Sequence, residues 1–212
     1  MRAGMWFCVA LFAMASIFAG ESELVKLPPP QTTGGMPLMQ ALQARHSARE
    51  FDKRPLEPQQ LSNLLWAAFG VNRVDSNKRT APSARNWREI DMYVALAGGA
   101  YVYEPAANAL RRVLTSDVRA LTGMQDFVGS APLNLVYVAN RQRMEGASDA
   151  DKDHYAAADT GFIAQNVYLY CASAGLNTVV RGSVDRKALG AALKLMPPQQ
   201  IILAQTVGYP PK

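Results

Sequence analysis

Cysteine and histidine are almost missing from this chain, with two of each in 212 residues. Cys8 lies in an apolar N-terminal run and Cys171 in the helical-looking run Val167-Tyr168-Leu169-Tyr170-Cys171-Ala172. If the N-terminus is removed, no intramolecular disulfide is possible, and Cys171 reads as a buried, inert thiol rather than a nucleophile. His46, His154 and one remaining cysteine offer no metal-site spacing. No Ser-His-Asp arrangement stands out. A stacked Lys/Arg stripe and a nucleic-acid motif are also missing, although the net charge is +5 and the pI near 9.3. A basic pocket for a small anion explains that charge at least as well as a polyanion partner does. No internal repeat is visible.

What remains is globular. The chain is 49% hydrophobic and 18% charged, long enough for one full core and short for two. Residues 1–20 have the layout of a secretory signal peptide. Arg2 supplies the positive end, Met5 to Phe18 are apolar apart from Ser16, and Ala13, Ala15, Ala19 and Gly20 precede the polar Glu21-Ser22-Glu23. The alternative is an uncleaved anchor, but the apolar run falls short of the roughly 20 residues a spanning helix needs. Cleavage near Ala19 or Gly20 is expected, giving a periplasmic or secreted protein with no lasting membrane anchor. There is no twin arginine, and Cys8 sits badly for lipid attachment.

Residues 21–36, with Pro28-Pro29-Pro30 and Gly34-Gly35, read as an extended linker or arm, and 37–212 as the folded domain. Pro37 suits the first turn of a short helix. A second helix opens at Pro58, carries a Leu61, Leu64, Leu65, Ala68, Phe69 stripe and stops at Gly70. The polar stretch 71–86 is an irregular loop. Strands are expected at Ile90 to Leu96, Tyr101 to Tyr103, Pro132 to Ala139, Thr178 to Val180 and Gln200 to Val207. Helical pieces are expected near 106–114, 116–123 and 185–195, with the longest helix at about 153–174. That helix is apolar nearly all round, so it belongs at the centre, covered by its own core and by a second subunit. The pattern is α+β.

The most informative segment is Arg45-His46-Ser47-Ala48-Arg49-Glu50-Phe51. If it is extended, Arg45, Ser47 and Arg49 share one face, and two guanidiniums with a hydroxyl grip a phosphate well. The bland alternative is a solvated basic strand edge. Three further segments join it: Arg79-Thr80-Ala81-Pro82-Ser83-Ala84-Arg85-Asn86, then Asp159-Thr160-Gly161-Phe162-Ile163-Ala164-Gln165-Asn166 leading to Gly175-Leu176, and the closing Val207-Gly208-Tyr209-Pro210. In this order and spacing the chain resembles the nitroreductase family. Tyr101-Val102-Tyr103-Glu104-Pro105 and Phe127-Val128-Gly129-Ser130-Ala131-Pro132 are similar to its SagB-type dehydrogenase branch.

The resemblance implies a nitroreductase-like fold, a mostly antiparallel central sheet flanked by helices, and a homodimer with FMN at the interface. It places Arg45 and Ser47 at the FMN phosphate, with His46 either near it or structural. Arg49 comes to the flavin N1/O2 edge, where a cation favours the reduced anion; alternatively it pairs with Glu50 or Asp52. Pro82, Ser83 and Asn86 form the loop that meets the ring or ribityl chain, although Ser83 after a proline also suits plain turn chemistry. Arg181-Gly182 falls where the family's backbone passes over N5. Arg181 itself departs from the usual Gly or Glu, and its cation is left for the phosphate or a substrate. Lys212 stands in for basic residues of longer relatives.

The implied activity is hydride transfer through flavin N5 by a ping-pong mechanism, with no catalytic side chain of the protein's own. A small-molecule substrate and an electron donor are implied, whether a quinol, the substrate itself or NAD(P)H. Export argues against NAD(P)H. The alternatives are a non-catalytic flavin- or anion-binding exported domain and an exported domain without cofactor.

Overall fold

The computed structural model describes residues 23–212; the expected leader, residues 1–20, lies outside them. Seven strands form one sheet in the order β1 (Leu24–Lys26), β6 (Ala109–Leu114), β5 (Gly99–Glu104), β4 (Ile90–Leu96), β7 (Leu133–Asn140), β9 (Gln199–Gly208) and β8 (Asn177–Arg181). Every neighbouring pair is antiparallel. β2 (Val71–Arg73) and β3 (Lys78–Arg79) make a separate ribbon. The helices are α1 (Leu38–Ala44), α2 (Pro58–Phe69), α3 (Asp149–Ala174) and α4 (Arg186–Ala192).

The strands alternate because successive side chains point to opposite faces. Leu133, Leu135, Tyr137 and Ala139 of β7 join the core built on α2 and α3, while Val136 and Val138 join a second core with Leu189 of α4. β7 is therefore buried on both faces, and its phenol is satisfied internally, with Tyr137 Oη 2.6 Å from Gln205 Oε1. The apolar stripe on α2 is buried, and its end is sharp. A Cβ on Gly70 would lie 2.4 Å from Trp66 Cδ1, so only glycine allows that exit.

α3 begins one turn before the expected start. Ser148 caps it, its Oγ accepting from Asp151 N at 3.1 Å, and two aspartates sit in the first turn where the dipole favours them. Gly175 ends it in the left-handed region at φ 65°.

Two expectations fail. Residues 106–114 are not helical: β5 and β6 form a hairpin that turns through Asn108 at φ 45°. Ala109, Leu110 and Arg111 are good helix formers, but β6 is paired on both sides, with β1 and β5, and the ladders outweigh local propensity. Residues 116–123 hold only a short 3-10 turn at Arg119–Thr122. The arm also carries structure. β1 extends the sheet, and the Pro28 carbonyl accepts from Ser62 Oγ and Asn108 Nδ2.

Candidate functional site

Arg45 closes α1, its N–H bonding Ala41 O at 2.9 Å while its ψ of 122° turns the chain extended. The following residues run along the outer edge of β8. Ala48 N donates to Thr178 O at 3.0 Å and Asn177 Nδ2 to Glu50 O at 2.8 Å. Phe51 then packs on Phe127, ring centroids 5.4 Å apart.

Tyr168 of α3 organises this segment. Its ring lies under the Arg45 guanidinium at 5.3 Å. Its hydroxyl oxygen accepts from Val180 N at 3.0 Å and sits 2.8 Å from Ser47 Oγ. The two hydroxyls have two protons and share one bond, so one O–H stays uncommitted. Arg49 is exposed and makes no ion pair among the described residues; Asp52, one of its expected alternatives, lies 3.7 Å from Arg54 instead. His46 is exposed and held by Ala44 O at 2.9 Å. A cation, a hydroxyl proton and a second cation thus sit along one extended stretch, and that donor set fits an oxyanion.

At the end of β8 the two expected residues part company. Gly182 is exposed. Arg181 is buried, donating through Nε to Thr206 Oγ1 at 3.0 Å, through Nη1 to Thr122 O at 2.8 Å and through Nη2 to Asn134 Oδ1 at 3.1 Å. Burial pushes its guanidinium down to about 10. The cation left open for a phosphate or a substrate is occupied inside the fold, tying β8, β9 and β7 to the 3-10 turn. A Cβ on Gly123 would come within 1.8 Å of Nη1, so the tie requires glycine there.

The loop 82–88 is built differently. Arg85, Asn86 and Arg88 all have left-handed backbones, at φ 49°, 57° and 51°, each costing of the order of 1 kcal/mol for a residue with a side chain. Ser83 Oγ accepts from Arg88 N at 2.7 Å, so its hydroxyl serves the turn. Pro82 and Asn86 are exposed, and the Asn86 amide makes no hydrogen bond among the described residues. The loop is pinned to α3 by Ala84 N donating to Asp159 Oδ2 at 2.8 Å, and by Trp87 edge-on to Tyr155 at 5.8 Å.

Behind that pin are two carboxyls that sequence reasoning does not single out. Glu89 is fully buried and neighbours Asp159. Burial first and Asp159 next raise Glu89 to about 7, against the lowering effect of its backbone hydrogen bond and of Arg143. Burial also raises Asp159. At neutral pH Glu89 is therefore far more protonated than an ordinary carboxyl. Tyr168 escapes sequence reasoning as well, because it reads as core in an apolar helical run. Asp159 opens one of the family-like segments and is a charge among Ala156, Ala157, Ala158 and Phe162, but neither signal pairs it with Glu89.

One chain does not join these two parts. Tyr168 and Asp159 are nine residues apart on α3, about 13 Å along the axis and on opposite sides of it, at 1.5 Å and 100° per residue. Phe162 on α3 and Leu38, Met39 and Leu42 on α1 are exposed.

The same architecture recurs in known proteins. The model of the nitroreductase family matches residues 42–209. A candidate nitroreductase of Methanocaldococcus jannaschii is 31% identical over 186 residues, covering 83% of this chain and 92% of that protein. A candidate nitroreductase of Ralstonia eutropha, solved by crystallography, superposes with a TM-score of 0.86 at 48% identity, over 91% of this chain and 92% of its own. The NADPH:FMN oxidoreductase of Vibrio harveyi, solved with NAD+, shares the fold at a TM-score of 0.62 and 19% identity, over 82% and 69%. With all of the sheet but β1, the edge segment 45–51 and the loop 82–86 within the matched span, the chain belongs to the nitroreductase family of oxidoreductases.

Proposed function

We propose that this protein is an FMN-dependent oxidoreductase, similar to the SagB-type branch, that works as an exported homodimer. The observation carrying the reading is the edge segment: Arg45, the Ser47–Tyr168 hydroxyl pair with its spare proton, and the exposed Arg49. In this reading Arg45 and Ser47 hold the FMN phosphate, with His46 beside it, and Arg49 meets the electron-rich edge of the ring. Asn86 offers an uncommitted amide that both donates and accepts, from a loop whose Pro82 and Ser83 set its shape. The exposed Gly182 lets backbone approach closely. Bound FMN supplies hydride chemistry at N5, received from one reactant and passed to a second in turn, which is the ping-pong order.

The dimer follows from α3. Asp159 and Tyr168 project to opposite sides, so a two-fold copy is the simple way to bring a loop 82–86 to an edge segment 45–49. The exposed Phe162, Leu38, Met39 and Leu42 supply apolar surface for it. Export follows from the leader layout of residues 1–20 and favours a quinol or the substrate as electron donor over NAD(P)H.

The test is a visible spectrum of the purified protein before and after incubation with FMN and desalting, followed by reduction with candidate donors. Retained flavin that cycles supports the oxidoreductase. Flavin that stays bound without turnover supports the non-catalytic binder instead, and a colourless protein removes the flavin reading.

A further inference from the structure

A cavity of about 460 Å³ shares none of the residues assigned to the flavin. It lies over β4 and β5, with Met92 and Val102 among its lining residues and Trp87, Tyr93 and Tyr103 supplying aromatic walls. Its volume falls in the range of ordinary small-molecule sites.

Four arginines line it, Arg79, Arg88, Arg111 and Arg143, against two carboxylates, Asp91 and Glu104. The carboxylates are already committed. Glu104 holds Arg111 at 2.7 Å, and Asp91 takes Arg143 through both oxygens at 2.7 and 3.1 Å. Arg79 and Arg88 are left without a counter-ion among the described residues. Arg88 reaches only the Asn77 carbonyl, at 3.4 Å. Arg79 lies over the Phe69 ring at 5.4 Å, with its Nε and Nη1 buried and without a hydrogen-bond partner.

Two half-buried like charges beside one cavity are unfavourable unless something negative lies between them. The strain is visible in Arg79, whose pKa is lowered first by burial and next by the charge of Arg88. Guanidiniums stack on planar groups and bond carboxylates through their flat edges, and Phe69, Trp87 and Tyr103 supply aromatic surface beside them.

We propose that this cavity binds a small aromatic carboxylate, its negative group between Arg79 and Arg88 and its ring against Trp87 and Tyr103. The site is independent of the flavin reading. It does touch the loop that reading uses, since Trp87 and Arg88 directly follow Asn86, so an occupied cavity braces that loop from behind.

Calorimetric titration of the full chain with benzoate tests this, with cyclohexanecarboxylate as a probe of equal charge and no flat ring. Saturable one-to-one binding of benzoate is expected, several-fold tighter than that of cyclohexanecarboxylate. Arg79→Gln and Arg88→Gln should each weaken it about tenfold, the scale of one charge-assisted bond. Arg45→Gln should leave benzoate binding alone. Arg88→Gln is the safeguard if Arg79→Gln lowers the melting temperature. The proposal is overturned by no saturable binding up to about 10 mM, by equal affinity for the two acids, by unchanged affinity in both cavity variants, or by loss of binding in Arg45→Gln.

Discussion

The edge segment 45–51 and the loop 83–88 serve the same proposed cofactor, yet they are held in opposite ways. The first is an ordinary extended chain laid against β8, with its backbone bonded to a strand and its charges left for solvent or ligand. The second carries three left-handed residues with side chains, kept in place by a carboxylate oxygen and an aromatic ring on α3 and by the Ser83 hydroxyl within the turn. Changing the edge should cost ligand affinity and little stability. Changing what lies behind the loop should cost stability first, because strained backbone persists only where its surroundings over-determine it.

The largest effect should come from the buried cation between the two regions. Arg181→Met would leave Asn134 Oδ1, Thr206 Oγ1 and the Thr122 carbonyl short of their donor, and should destabilise by about 3 kcal/mol in urea unfolding. The flavin retained by the folded fraction should be unchanged. A selective loss of flavin at unchanged stability would move Arg181 from scaffold to ligand.

Next comes a pH dependence confined to the loop's support. Glu89 is raised in the folded protein from 4.5 to about 7, so the folded state binds more protons than the unfolded state between those values. Its contribution to stability is complete below about pH 4.5 and is lost as pH rises through 7. Unfolding free energy between pH 5 and 8 should fall by roughly 2 kcal/mol in the parent, and the slope should flatten in Glu89→Gln. An equal slope in both proteins would show that burial does not raise Glu89.

The smallest change in stability belongs to the edge. Ser47→Ala removes an exposed hydroxyl and should cost less than about 1 kcal/mol, while FMN retention after desalting drops several-fold. Should stability fall and flavin stay, the contrast between the two regions would be reversed.

Several of these features are legible in the amino-acid sequence alone. The α2 stripe, the glycine stops and the runs of β4, β7 and β9 all follow from periodicity and turn chemistry, which are local. The clustering of Arg45, Ser47 and Arg49 in one short segment is legible for the same reason. Residues 106–114 are not, because an alanine- and leucine-rich stretch reads as helix until two neighbouring strands claim it. Glu89 looks like a strand-edge residue, and only the approach of α3 makes it a buried acid. Arg181 looks like a ligand cation because a chain cannot reveal which carbonyls will surround a guanidinium.

By itself the sequence determined the α+β class, most of the element order, the inert buried Cys171 and the residues of the edge segment, since each depends on composition or on spacing along the chain. Tertiary structure decided that Arg181 points inward, that Ser83 serves its turn, that Glu89 is buried beside Asp159, and that Arg79 and Arg88 share a cavity. Those outcomes turn on desolvation and on contacts between residues far apart in sequence, and burial is a property of the folded chain.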